Sequence, residues 1–137
     1  MGKIKELMTV KPRTVKQGDS IVDAAKLMKG EDTGVAPIVD GDRLVGVITD
    51  RDIAIRVVAE GRDPQSTKVE DIASQNLVTI DPQQDLDEAL RLMAQHQVRR
   101  LPVVEEDGKL VGIIAQADVA RHADAERTGE VVEEISE

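Results

Sequence analysis

The sequence predicts a mixed α/β fold made of two β-α-β-β-α repeats that pack about a pseudo-twofold axis. Three observations carry this. Apolar, Pro and Gly positions recur at a fixed offset along the chain; each copy holds one capped, one-faced helical stretch; and each holds two short apolar runs around a Gly/Asp turn. Ala24-Ala25-Lys26-Leu27-Met28 returns as Ala89-Leu90-Arg91-Leu92-Met93, and Ala36-Pro37-Ile38-Val39 as Leu101-Pro102-Val103-Val104, each 65 positions on (Met28 to Met93, Pro37 to Pro102). Arg43-Leu44-Val45-Gly46-Val47-Ile48 returns as Lys109-Leu110-Val111-Gly112-Ile113-Ile114, now 66 on (Gly46 to Gly112). The extra residue falls in the turn, where insertions are tolerated.

The elements follow in order. Ile4-Lys5-Glu6-Leu7 is a lead-in, matched by Val69-Glu70-Asp71-Ile72. Thr14-Val15 and Val78-Thr79-Ile80 read as short extended pieces. Ser20 with Asp23, and Asp85 with Glu88, have capping-box spacing at a helix start. Behind them Ile21, Ala24, Ala25 and Met28, and likewise Leu86, Ala89, Leu90 and Met93, follow the i, i+3, i+4, i+7 rule of a helix with one apolar face. The runs Val35–Val39 and Leu44–Thr49 predict one hairpin, Leu101–Val104 and Leu110–Ala115 a second. Closing helices are expected from about Asp50 to Glu60 and from about Ala117 to Ala125. The division expected is 1–62 for the first repeat, 63–125 for the second and 126–137 for an acidic tail. The halves are expected to share one core, since either alone buries little. The tail is expected to fray, with docking through Val131, Val132 and Ile135 as the other reading.

Composition narrows the function. The 137 residues hold 18 Lys+Arg and 27 Asp+Glu, a net charge of −9, with 0% aromatic content. An acidic chain without Phe, Tyr or Trp lacks the basic face that duplex DNA or an anionic membrane requires, and the stacking rings that single strands use. No apolar run approaches the ~20 residues of a membrane span, and the N-terminus has no apolar signal core. Zero Cys excludes disulfides, thiolate metal sites and cysteine nucleophiles. A cytoplasmic protein is expected. His96 and His122 have no His-Glu-x-x-His spacing, and no Ser sits in a Gly-x-Ser-x-Gly elbow, so neither a metal site nor a catalytic set is expected.

Gly46-Val47-Ile48-Thr49-Asp50-Arg51-Asp52 carries the clearest chemistry. Thr49 stands at a helix start with Asp52 three residues on, and Gly46 leaves the strand clear for a close approach. An ionised Asp accepts hydrogen bonds only, so one carboxylate suits the two adjacent hydroxyls of a ribose. Thr-x-x-Asp is also an ordinary capping box, and helices begin this way without binding anything.

The tandem units, the x-Pro-Val-Val strand and the Gly46–Asp52 segment resemble a pair of CBS domains, the Bateman module, over nearly the whole chain to about Ala125. The stretches Leu44–Ile53 and His96–Val103 are most similar to stand-alone actinobacterial CBS-pair proteins. The resemblance implies an adenosyl ligand (AMP, ADP, ATP, S-adenosylmethionine or NAD-like) bound between the repeats as a regulatory ligand, with no obligatory cofactor. It also implies a homodimer of modules, with an effector protein acting in trans. The expected ligand-binding residues are Thr14, Val15, Ala36, Pro37, Val47, Ile48, Thr49, Asp50 and Asp52, with Arg99 and Arg100 as the phosphate cations. Thr79, Ile80, Ile114 and Asp118 make a second, weaker site. There Ala115 replaces the Thr, and Thr33-Gly34-Val35-Ala36 offers no cation, so the sites should be unequal. The alternative reading is a ligand-independent dimerisation scaffold.

Overall fold

The computed structural model describes residues 2–74 and 77–136, the last ten of these as backbone. Along the chain run α1 (Ile4–Leu7), β1 (Thr9–Val10), β2 (Val15–Lys16), α2 (Ile21–Glu31), β3 (Val35–Asp40), β4 (Arg43–Thr49) and α3 (Asp50–Ile53). A π-helical turn (Ala54–Val58) continues α3, and then come α4 (Val69–Ile72), α5 (Leu86–His96), β5 (Arg100–Val104), β6 (Leu110–Ala115) and α6 (Gln116–Ser136). The strands form two three-stranded sheets, β2-β3-β4 and β1-β6-β5. The fold is the mixed α/β architecture expected.

The sequence repeats and the compact units divide the chain differently. One unit comprises residues 11–77 and 104–110, the other 1–10, 78–103 and 111–137. Each lead-in thus belongs with the opposite repeat. The unit around the first repeat takes α4, whose Val69 and Ile72 are buried in a cluster with Val15, Ile21, Ile38, Ile48 and Val57. The unit around the second repeat takes α1, whose Ile4 is buried with Ile80, Leu86, Met93, Leu101 and Ile114. Among the described residues most of the buried apolar side chains fall in these two clusters, one per unit. Covering each sheet with a borrowed helix gives each half the apolar area it otherwise lacks.

The crossing repeats in its hydrogen bonds. The first amide of α2, Ile21 N, donates to the Thr67 carbonyl at 3.0 Å; the first amide of α5, Leu86 N, donates to the Gly2 carbonyl at 2.9 Å. In one sheet Thr9 pairs antiparallel with Ile113, and in the other Ser74 bridges Val47. On the other side of each hairpin Val15 pairs parallel with Ile38, and Ile80 with Val103. The extended piece expected at Val78–Ile80 is reduced to that single bridge.

Gly112 sits where its strand needs glycine, while the equivalent Gly46 has more room. A Cβ on Gly112 would stand 2.7 Å from the Met8 Sδ and 2.9 Å from the Thr9 carbonyl oxygen. One on Gly46 would meet the Ala73 Cβ at 3.5 Å. Met8 and Ala73 are equivalent lead-in positions. The lead-in makes its close approach at Gly112, whereas at Gly46 it stands at ordinary contact distance.

Helix α2 carries the full capping box: Asp23 N donates to Ser20 Oγ at 3.2 Å and Ser20 N to Asp23 Oδ2 at 3.1 Å. Its buried face is Ile21, Ala24, Leu27 and Met28; Ala25, expected inside, is exposed. Asp85 makes no side-chain cap on α5, which corrects the second expected box. Glu88 is held instead by Arg91, whose Nε donates to it at 3.0 Å, and this bond keeps the Glu88 carboxyl below its ordinary pKa. Ser20→Ala should therefore cost about 1 kcal/mol, with Asp85→Ala costing a few tenths at most. Paired urea melts of the two variants check this.

The last helix was expected to end near Ala125 and instead continues to Ser136. The segment Glu126–Ser136 is rich in Glu and holds no Pro, so nothing local stops it beyond one Gly. The side chains of Val131, Val132 and Ile135 lie outside the described residues.

Candidate functional site

Strand β4 ends at Thr49, whose extended backbone turns the chain into α3. Asp52 N donates to Thr49 Oγ1 at 3.0 Å, and Thr49 N donates to Asp52 Oδ2 at 2.9 Å. The reciprocal box fixes both side chains, each half-buried. It uses one oxygen of the carboxylate. Oδ1 of Asp52 and the hydroxyl proton of Thr49 have no protein partner among the described residues. The box and a hydroxyl-binding role are compatible.

The neighbouring candidates are gathered by the sheet. Ala36 pairs with Ile48 and Pro37 with Val47 across the hairpin, and Val15 lies on the next strand opposite Ile38. Val15, Ala36 and Ile48 have their side chains in the core cluster, so they offer a ligand backbone rather than side chain. Val47 is half-buried and Thr14 exposed. Asp50 N donates to the Gly34 carbonyl at 2.9 Å, and the Asp50 carboxylate fills the space where a Gly34 side chain would stand.

Arg99 and Arg100 belong to the other unit. The Arg99 carbonyl accepts from Gln116 N at 2.8 Å, which repeats the Gly34–Asp50 bond. Arg99 is exposed and Arg100 half-buried. In that unit Ile80 and Ile114 are core, Thr79 is half-buried, and the Asp118 carboxylate is ion-paired with the Arg121 guanidinium. Sequence reasoning passed over Arg121, although its i+3 spacing from Asp118 is a readable signal.

It also passed over Arg56. The π-helical turn places its Nη1 on the carbonyl oxygens of Ile72 and, at 3.3 Å, Ala73, the end of α4. His122 occupies the equivalent place in the second repeat, with its Nε2 3.0 Å from Glu126 Oε1. A shallow pocket of about 160 Å³ lies in the first-repeat unit, lined in part by Gln17, Gly46, Ser74 and Leu77. None of the expected ligand residues lines it. Among the described residues no group of three His, Asp or Glu could hold a metal ion, and no helix is long and apolar enough to cross a membrane.

The CBS-domain family model matches residues 4–59 and again 69–125. The chain belongs to the CBS-domain family. A CBS domain-containing protein of Bacillus subtilis, YhcV, is 46% identical over 120 residues, which is 88% of this chain and 84% of that one. A crystal structure of Hypoxic Response Protein I with two coordinated zinc ions is 38% identical, with a TM-score of 0.81, covering 88% of this chain and 98% of that one. That likeness agrees with the resemblance to stand-alone CBS-pair proteins. CBSX2, solved in complex with AMP, is 27% identical with a TM-score of 0.80 and covers 93% of this CBS pair and 99% of its own chain.

Proposed function

We propose that this CBS pair is a non-catalytic regulatory module that binds an adenosyl ligand and reports it through the arrangement of a homodimer. The observation that carries the reading is the box at the start of α3. It holds Asp52 rigidly while leaving Oδ1 and the Thr49 hydroxyl open, which is what two vicinal ribose hydroxyls and a phosphate oxygen need. The AMP bound to CBSX2 supports the ligand class. Thr14, Val15, Ala36, Pro37, Val47 and Ile48 flank the adenine in this reading, with Asp50 at the same helix start. The phosphates fall to Arg99 and Arg100, and Thr79, Ile80, Ile114 and Asp118 form the second site. The ligand favours one dimer arrangement by its differential affinity, and an effector protein reads the outcome.

The test is a thermal melt with AMP, ATP and S-adenosylmethionine. At a ligand concentration of 100 times Kd the stabilisation should be about 2.7 kcal/mol. Asp52→Asn can still accept the Thr49 amide, so its melting temperature without ligand should stay near that of the parent. Most of the ligand-induced rise should vanish. A full rise in Asp52→Asn, or no rise with any adenosyl compound, would count against the proposal.

A second reading, a ligand-independent scaffold, is favoured by the exposed Ile55 and Val58 on the π-helical turn, 52% and 67% exposed. It expects Ile55→Glu to abolish self-association and Asp52→Asn to change nothing.

A further inference from the structure

The second repeat carries a cation of its own. At equivalent positions the first repeat has Thr49, Asp52 and Ile55, and the second has Ala115, Asp118 and Arg121, each 66 residues on (Asp52 to Asp118). In the first, one carboxylate oxygen of Asp52 is tied into the capping box. In the second, Ala115 has no hydroxyl with which to make that box, and Oδ1 of Asp118 takes Nη2 of Arg121 instead. Asp118 is mostly covered, with 29% of its side chain exposed, whereas 76% of Arg121 is exposed. The carboxylate is thus held in place while the guanidinium sits at the end of a long, solvated arm. An ion pair this exposed is weak and readily opened.

We infer that Arg121 is the specificity-determining residue of the second site, exchanging Asp118 for an anionic group of the ligand. The inference rests on the adenosyl reading above. On binding, the guanidinium releases Oδ1, which then accepts the ribose hydroxyls, and turns to a phosphate or carboxylate carried by the same ligand. Breaking one charge-assisted bond is offset by forming another, and Arg is suited to a bidentate oxyanion. An uncharged nucleoside opens the pair and gains no replacement. The second site therefore selects phosphorylated adenosyl ligands. In the first repeat Ile55 stands at this position, so the two sites read the ligand's charge by different groups.

The experiment is titration calorimetry of the full chain with AMP and with adenosine, in Asp52→Asn to silence the first site, with and without Arg121→Gln. In Asp52→Asn alone, AMP should bind about tenfold more tightly than adenosine. Adding Arg121→Gln should remove the difference, by weakening AMP while leaving adenosine equal or slightly tighter. Arg121→Lys should restore part of the AMP preference. Because Arg121 is largely solvated, melting temperatures should not move, which separates specificity from folding. Equal affinity for AMP and adenosine in Asp52→Asn, an unchanged ratio in Arg121→Gln, or no binding in Asp52→Asn while the parent chain binds, each overturns this inference alone. No adenosyl compound binding to the parent chain overturns the ligand reading itself.

Discussion

Deletion of residues 1–8 is expected to unfold the unit that holds the second repeat before the one that holds the first, although the deleted residues precede the first repeat in sequence. The deletion removes the Ile4 side chain, 0% exposed, from the cluster with Leu86, Met93 and Leu101. It also removes the Gly2 carbonyl that accepts from Leu86 N, and the amides of Ile4 and Lys5 that donate to the Gln84 and Pro82 carbonyls at 2.9 and 3.0 Å. A buried Ile replaced by Ala costs about 2–5 kcal/mol by itself, and total stability for a domain of this size is about 5–15 kcal/mol. Amide hydrogen exchange reads the result by position. Protection should fall first in Leu86–His96 and at Ile113 and Ile114, with Ile21–Glu31 holding longer. Earlier loss in Ile21–Glu31 would mean that α1 supports the first repeat after all. Ile4→Ala should show the same order at smaller amplitude.

Gly112→Ala is expected to be the most damaging single methyl added to the strands, and Gly46→Ala nearly harmless. The first drives a Cβ to 2.9 Å from the Thr9 carbonyl oxygen, a backbone atom that moves only if β1 moves. The second makes an ordinary contact at 3.5 Å with Ala73. Overpacking of the first kind costs about 1–3 kcal/mol, which should lower the melting temperature by several degrees. Met8→Ala added to Gly112→Ala should recover part of the loss, since it clears Sδ but not the carbonyl. Equal melting temperatures for the two single variants would refute the reading that Gly112, unlike Gly46, seats its lead-in by close contact.

Much of the architecture was legible because the repeat keeps Pro, Gly and apolar residues in step. Pro37 and Pro102 mark equivalent strands, and the one-residue slip lands at the Glu105–Lys109 turn, closed by Gly108 with φ of +87°. Which core each lead-in joins was not legible. Ile4 and Val69 have the same local pattern, and their core partners, Leu86 and Met93 for Ile4 and Ile21 and Ile48 for Val69, lie outside any short window. Where the second box was expected, Glu88 N donates to the Asp85 carbonyl instead of its carboxylate, and Arg91, one turn on, takes the Glu88 carboxylate. At the candidate site the Thr49–Asp52 spacing fits a capping box as well as a ligand-binding pair, and it could not show which oxygen the box leaves open. The π-helical turn, with Val57 buried in it, leaves no propensity signal in the sequence, so Arg56 could not be placed on the Ile72 and Ala73 carbonyls in advance.

The crossed lead-ins bear on ancestry. A polypeptide of one repeat would cover its core only by lending its lead-in helix to a second copy and borrowing one in return, which makes its smallest folded form a swapped dimer. In the tandem chain that exchange is intramolecular, governed by linker reach rather than protein concentration. Once concatenated, the halves could drift apart chemically, and Thr49 against Ala115 or Ile55 against Arg121 would be the marks of that freedom.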